Sequence, residues 1–320
     1  MKQNTPQYQK AHDFSKRINS LLGFRYGISP PVSDEKPRTL VRGGSLTAHC
    51  LVKNEQNWVW FAINSVLDFV DKIIVFDTGS TDDTVPIIKT IRSPKIKFSQ
   101  KGPVDKKQLT RLRQEMLDQT KTSWFMVLDG DEIWPRTTIA ELTAAIRQAS
   151  SKQQAIVVGQ WMWQGDVYHY SPVVEALVDP LAPKNLTGYR LPRAIKMLPG
   201  IQTIGEYGWE SYADQKNLNV SDWNKERLIY IKNKFFHASF LPRSSTREKD
   251  REVMMRGPKT RFTKGALFPK NVILPEILSA KRPQQVPSPW QHLTLKQAAV
   301  GFYYRAQNLV ERFGRQVGNL

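Results

Sequence analysis

Two apolar runs that each stop at a carboxylate constrain this chain more than any other feature. In "KIIVFDTGSTDDT" the apolar residues 73–76 lead into Asp77, then into a loop of glycine, hydroxyls and a second acidic pair. In "WFMVLDGDE" the apolar residues 124–128 lead into Asp129, Gly130, Asp131 and Glu132. Unbroken apolar runs bounded by turn residues are what strands buried on both faces require. Around them the pattern alternates. A strand at "LTAHCLV" precedes a helix after Asn54, on which Trp58, Phe61, Ala62, Val66 and Phe69 share one face. A helix from Thr84, a short strand at "KIKFS" and a helix over "KKQLTRLRQEMLDQT" separate the two carboxylate-ended runs, and a helix over 137–148 and a strand at "AIVVGQWMW" follow. Such alternation predicts parallel crossovers in an open, mostly parallel α/β sheet with helices on both faces. Ligands bind such sheets beyond the carboxyl ends of the strands, which is where both acidic groups fall.

The chain has 320 residues, a formal net charge of +18 and one cysteine, Cys50. Its length allows a full core without disulfides or metals, and a single thiol excludes an intrachain disulfide framework. The charge points to an acidic partner: nucleic acid, an anionic membrane or a phosphorylated substrate. The most apolar window, "WVWFAINSVLDFV", is interrupted well short of the ~20 residues a spanning helix needs, so the expectation is a cytoplasmic protein with an option of peripheral contact at the inner leaflet of a membrane.

Each acidic stretch has a simple structural use and a chemical one. In "DTGSTDDT", Gly79 suits a turn, and Ser80, Thr81 or Asp82 suits a helix cap. Asp77 stands before the loop, where a carboxylate can accept a hydrogen bond from a base N–H or a ribose hydroxyl. "DGDE" suits a polar turn, but it also gathers carboxylates whose mutual repulsion a divalent cation relieves.

Taken together, "LVKNEQNWVWFAINSVLDFVDKIIVFDTGSTDDTVPIIKTI" and "TSWFMVLDGDE" resemble the family-2 glycosyltransferases of GT-A fold, in particular the branch of bacterial lipopolysaccharide-core glucosyltransferases. The resemblance is strongest over residues 45–135. It implies a metal-dependent, inverting hexosyltransferase that uses Mn²⁺ or Mg²⁺ and a nucleotide-diphosphate sugar, UDP-linked by expectation, with a hydroxyl of an envelope glycan or glycolipid as acceptor. By the same resemblance Asp77 meets the base, and Lys53, Asn54 and Glu55 line the nucleotide pocket. Asp129 and Asp131 match the DxD element, with Asp129 near the ribose and Asp131 on the metal. Arg113 matches the arginine of an "ARN" stretch, although Gln114 stands where the family has asparagine. Downstream, "LPRAIKMLPGIQTIGEYGWESYAD" keeps Pro192 and Arg193, has Trp209 in place of a histidine and retains Glu210. Glu210 is the expected catalytic base, with Glu206 and Asp214 as competitors, and His237 in "FFHASFLPRS" is an expected metal ligand. Arg243 and the basic run after it could close over the diphosphate. The aromatic cluster of Trp161, Trp163, Tyr168 and Tyr170 suits either a sugar platform or core packing.

The domain expectation is an irregular arm over 1–43 with a short helix near 14–22, a catalytic domain over 44–240, and a basic loop with a C-terminal helical extension over 241–320. The catalytic domain divides into a nucleotide-sugar half, 44–150, and a smaller, more antiparallel acceptor half, 151–240. The alternative from another class, a basic nucleic-acid-binding protein, lacks any recognition motif beyond charge. A nucleotidyltransferase would need a glycine- and lysine/arginine-rich loop where "LVKNEQN" has no glycine.

Overall fold

The computed structural model describes residues 44–256, 262–294 and 299. The expected arm over 1–43 and most of the expected C-terminal helix lie outside the described residues.

The first half is built as its periodicity demands. Strand β1 (Leu46–Val52) leads to helix α1 (Val59–Val66), β2 (Lys72–Asp77), α2 (Thr84–Thr90), β3 (Ile96–Gln100), α3 (Lys106–Gln119) and β4 (Trp124–Val127). β1 lies between β2 and β4, with β3 outside β2, and all three pairings are parallel. Side chains alternate across this sheet as the two-residue strand period requires. Ile73 and Val75 pack into the core shared with Val59 and Phe61 of α1, whereas Ile74 and Phe76 turn to Met116 of α3 on the opposite face. Helices therefore cover both faces, and the open α/β sheet matches the expectation.

α1 differs from its expected form. It ends at Val66, so Phe69 lies in the following turn, and it buries all but one of its residues instead of showing an amphipathic stripe. Helices enclosed in this way lose the polar face that periodicity arguments depend on.

Beyond β4 the sheet becomes mixed. A two-residue strand, β5 (Glu132–Ile133), follows the acidic turn, then α4 (Arg136–Gln148), β6 (Ala155–Gln164), β7 (Asp166–Tyr170), the short α5 (Pro172–Glu175) and β8 (Arg190–Lys196). β8 joins β4 to β6 and runs antiparallel to both. Strands β9 (Gln202–Ile204) and β10 (Ser211–Ala213) form a separate antiparallel hairpin. β11 (Leu228–His237) returns parallel to β6, and its last two residues pair antiparallel with β5. Helix α6 (Arg247–Arg251) and strand β12 (Ala266–Leu267) follow, with β12 against β7.

The aromatic cluster packs inside this second half. Trp163 is fully buried against Trp58 and Phe236, and Trp161 meets Tyr170 and Phe268 edge-on. None of the cluster lines the main cavity, so core packing is the use the fold makes of it.

Candidate active site

The turn after β4 carries the densest chemistry. Its backbone closes where the Glu132 N–H donates to the Asp129 carbonyl at 3.0 Å. Gly130 is required by proximity: a Cβ there would stand 2.8 Å from Glu55 Cγ and 2.9 Å from Val52 Cγ1. The turn can thus lie flat on the end of β1. β5 then hands the strand direction back, and its ladder with β11 sets His237 directly opposite Glu132. One ligand atom from each of Asp129, Glu132 and His237 falls within 4.8 Å of the others. Asp131 adjoins them, its Oδ2 lying 3.2 Å from His237 Nε2, while His237 Nδ1 is 2.9 Å from Gln160 Oε1. The expected metal pair of Asp131 and His237 is therefore adjacent, but the ligand atoms that converge with His237 are those of Asp129, expected at the ribose, and of Glu132, not expected as a ligand.

Four arginines surround these carboxylates. Arg113, from α3, reaches Asp129 at 3.5 Å and Glu210 at 3.3 Å through one nitrogen. Arg193, from β8, pairs with Glu132 and approaches Asp129 at 3.6 Å. Arg243 donates to Asp131 Oδ2 at 2.6 Å and lies 3.4 Å from Glu55, and Arg256 pairs with the same Glu55 carboxylate. All four are buried. Arg256 was not singled out in the sequence. Its only signal is membership of a basic run, and an exposed member of the run, Arg251, looks the same in sequence.

These neighbours decide the protonation of the acids. Burial pushes Asp131 upward, but Arg243 and His237 outweigh it and hold the carboxyl well below its ordinary range. Burial likewise raises Asp129, and Arg193 with Arg113 brings it below the usual value. At Glu132 burial wins over Arg193 and the group is raised. Glu55 is pushed up to about 8 by burial, against the opposing pull of Arg243 and Arg256. The donor set of carboxylate oxygens and one imidazole nitrogen suits a divalent cation of Mn²⁺ or Mg²⁺ type. Asp131 Oδ1 and Glu55 Oε2 are buried without a hydrogen-bond partner, which also fits a cation at this place.

A cavity of about 920 Å³ opens over the turn. Lys53, Glu55, Arg113, Asp129, Asp131, Glu210 and His237 line it, as expected. Asp77 and Asn54 do not. The Asp77 carboxylate accepts from the Gly79 and Ser80 N–H groups, the nearest donors its own loop offers, so it shapes the loop rather than the cavity wall. Asn54 adopts φ 52° and works as a bolt. Its Oδ1 accepts from the Thr81 N–H at 2.7 Å and its Nδ2 donates to the Lys249 carbonyl at 2.9 Å, tying the β1 and β2 loops to α6.

Of the three base candidates, only Glu210 reaches the cavity. It accepts from the Gly208 N–H at 2.6 Å and faces Arg113. Asp214 is occupied by Arg227 at 2.8 Å and by the Lys216 and Leu218 N–H groups, so it holds a turn. Gln114 docks α3 on the β9–β10 hairpin, accepting from the Thr203 N–H at 2.9 Å.

These features define a class: an open α/β domain with an acidic, arginine-flanked centre at the carboxyl ends of its parallel strands. Residues 50–198 match the family model Glycosyl transferase family 2. It is 28% identical over 145 residues to the SPbeta prophage-derived glycosyltransferase SunS of Bacillus subtilis (strain 168), over 45% of this chain and 30% of that protein. It is 33% identical over 87 residues to an uncharacterized glycosyltransferase of Rickettsia typhi (strain ATCC VR-144 / Wilmington), over 27% of this chain and 28% of that one. The matched region thus spans less than a third of these relatives' length. Among solved structures, S. aureus TarS 1–349 aligns at 15% identity and TM-score 0.38 over 66% of this chain and 65% of that one. Glucosyl-3-phosphoglycerate synthase from Mycobacterium tuberculosis, solved with Mn²⁺, UDP and glucosyl-3-phosphoglycerate, aligns at 20% identity and TM-score 0.31 over 48% of this chain and 57% of that one. Among the described residues no helix is long and apolar enough to cross a membrane.

Proposed function

We propose that the protein is a metal-dependent, inverting glycosyltransferase that moves a sugar from a nucleotide-diphosphate donor, UDP-linked by first expectation, to an acceptor hydroxyl. The observation that carries this reading is the meeting of Asp129, Glu132 and His237 across the β5–β11 ladder beside a large cavity, within a Glycosyl transferase family 2 domain.

Asp129, Asp131, Glu132 and His237 would hold the divalent cation, which when bound supplies positive charge to the departing diphosphate. The protein's own residues do the rest. Lys53 and Glu55 form the wall at the nucleotide end of the cavity, while Asp77 and Asn54 keep the loops beneath it in shape. Glu210 takes the proton of the acceptor hydroxyl as its oxygen attacks the anomeric carbon from the face opposite the diphosphate. Arg113 orients the Glu210 carboxylate and links it to Asp129. In this reading residues 44–150 handle the donor, 151–240 the acceptor, and 241–256 cover the carboxylates. An envelope glycan or glycolipid acceptor, and contact with an anionic membrane, are the finer parts of the proposal.

The test is calorimetric titration with UDP and with GDP, each with and without Mn²⁺, on the wild type and on Asp131→Ala. Cation-dependent binding of one nucleotide, lost in the variant, is the expected result. Binding of neither nucleotide under any condition would overturn the reading and make nucleic acid the next ligand to try.

A further inference from the structure

The cavity has two walls of opposite character. On the side of β1, the acidic turn and α6, every arginine of the lining is already engaged by a carboxylate. The other wall comes from the β9–β10 hairpin and the chain that follows it. There Ile204, Tyr207 and Trp209 face the cavity together with Asn219 and Ser221. No lysine or arginine between 204 and 222 joins the lining, and the charged groups that do, Glu210 and Asp222, are both acidic.

This wall is built in advance. Thr110 Oγ1 on α3 donates to the Gly205 carbonyl at 2.9 Å, and the Thr203 N–H donates to Gln114 at 2.9 Å. Gly205 sits at φ 84°, and a Cβ there would fall 2.4 Å from the Trp209 carbonyl oxygen, so glycine is needed for the hairpin to fold back this tightly. The result is a hairpin backbone held against α3, with Tyr207 and Trp209 in the lining beside Glu210.

An aromatic wall with no cation of its own, and amide and hydroxyl groups at its edge, offers an anion no partner and favours a ring that presents C–H groups to an aromatic face and hydroxyls to polar side chains. From this we infer that the acceptor subsite takes a neutral sugar ring, stacked on Trp209 and Tyr207 with its reacting hydroxyl towards Glu210. The inference rests on the transferase reading and narrows it: the phosphate-recognising charge of the cavity belongs to the donor side, and the group receiving the transferred sugar is itself uncharged. Trp209 becomes a specificity-determining residue.

Saturation-transfer NMR on the full chain with UDP and Mn²⁺ tests this, with the methyl β-glycosides of glucose, galactose and N-acetylglucosamine as neutral probes and glucose 6-phosphate as the anionic one. At least one neutral glycoside should receive saturation on its ring C–H protons, with glucose 6-phosphate several-fold weaker. Trp209→Ala should reduce the glycoside signal by up to about tenfold while UDP affinity stays within about twofold, and Trp209→Phe should restore most of it. Retained UDP affinity shows that the variant is folded. Stronger saturation of glucose 6-phosphate, an unchanged signal in Trp209→Ala, or UDP binding with no saturation of any glycoside would each overturn the inference and leave the transferase reading standing. Failure of the wild type to bind UDP or GDP would instead remove the transferase reading on which the inference rests.

Discussion

Arg243 Nη1 lies 2.6 Å from Asp131 Oδ2, the same oxygen that His237 Nε2 approaches at 3.2 Å. In the proposed cation-bound state, a guanidinium and a divalent cation would compete for one atom there. Asp131 is fully buried, so truncating Arg243 leaves a charge without its closest partner, a change that typically costs about 3–5 kcal/mol. Arg243→Ala should therefore melt well below the wild type in EDTA, and Mn²⁺ should raise its melting temperature by more than it raises that of the wild type. Thermal unfolding of both proteins with EDTA and with Mn²⁺ is the check; an equal Mn²⁺ shift in both would mean that Arg243 and the cation do not compete.

Glu55 gives the site a pH signature. Its carboxyl is raised from 4.5 to about 8, so through that window the folded protein holds a proton that the unfolded chain has released. Stability contributed by this group is present at pH 4.5 and falls as the pH rises to 8. Asp129 and Asp131 act in the opposite sense: their carboxyls are depressed, so their contribution is complete above the ordinary 3.8 and drains below it. Urea midpoints between pH 5 and 8 in EDTA, for wild type and Glu55→Gln, should show a shallower decline in the variant (~1 pH-unit steps suffice to resolve it).

Glu210 and Asp214 are both acidic, near in sequence and different in what holds them. With UDP-glucose hydrolysis as the readout, Glu210→Gln should lower kcat by about 10²–10⁴-fold with little change in UDP affinity. Asp214→Asn should leave kcat within about threefold and lower stability by roughly 1–3 kcal/mol, through the weakened Arg227 pair. The reverse pattern would move the base to another residue.

Gly130→Ala probes the seat of the acidic turn. The added methyl meets Glu55 Cγ at 2.8 Å and Val52 Cγ1 at 2.9 Å, so the turn must lift by a few tenths of an ångström. The expected cost is about 1–3 kcal/mol, together with weaker Mn²⁺ binding by calorimetry.

The parts of this architecture that could be read from the sequence are those with a local cause. β2 and β4 read as strands because burial on both faces removes polar residues from the run, and their carboxylates stand out because they end it. Thr84 and Lys106 opened helices where expected, the second behind a capping box of Asp105 and Gln108. What could not be read depends on distant partners. Glu132 becomes a candidate ligand only when a two-residue strand meets the end of β11, and no periodicity marks so short a pairing. Arg243 and Arg256 flank α6, and composition does not tell which members of a basic run turn inward. Asp77 and Asn54 carried the right signal for the region, but their side chains are consumed by loop hydrogen bonds that depend on the three-dimensional course of the turns.

The short ladder between β5 and β11 separates two kinds of change open to this protein. Glu132 and His237 are about a hundred positions apart in the chain, yet their facing is set by one register, and a single-residue slip in either strand would turn one of them away. Between those strands the hairpin and its following loop contact the rest through α3 and β8 and take no part in that ladder. Side chains lining the cavity from that stretch can therefore change while the register that sets Glu132 against His237 stays as it is.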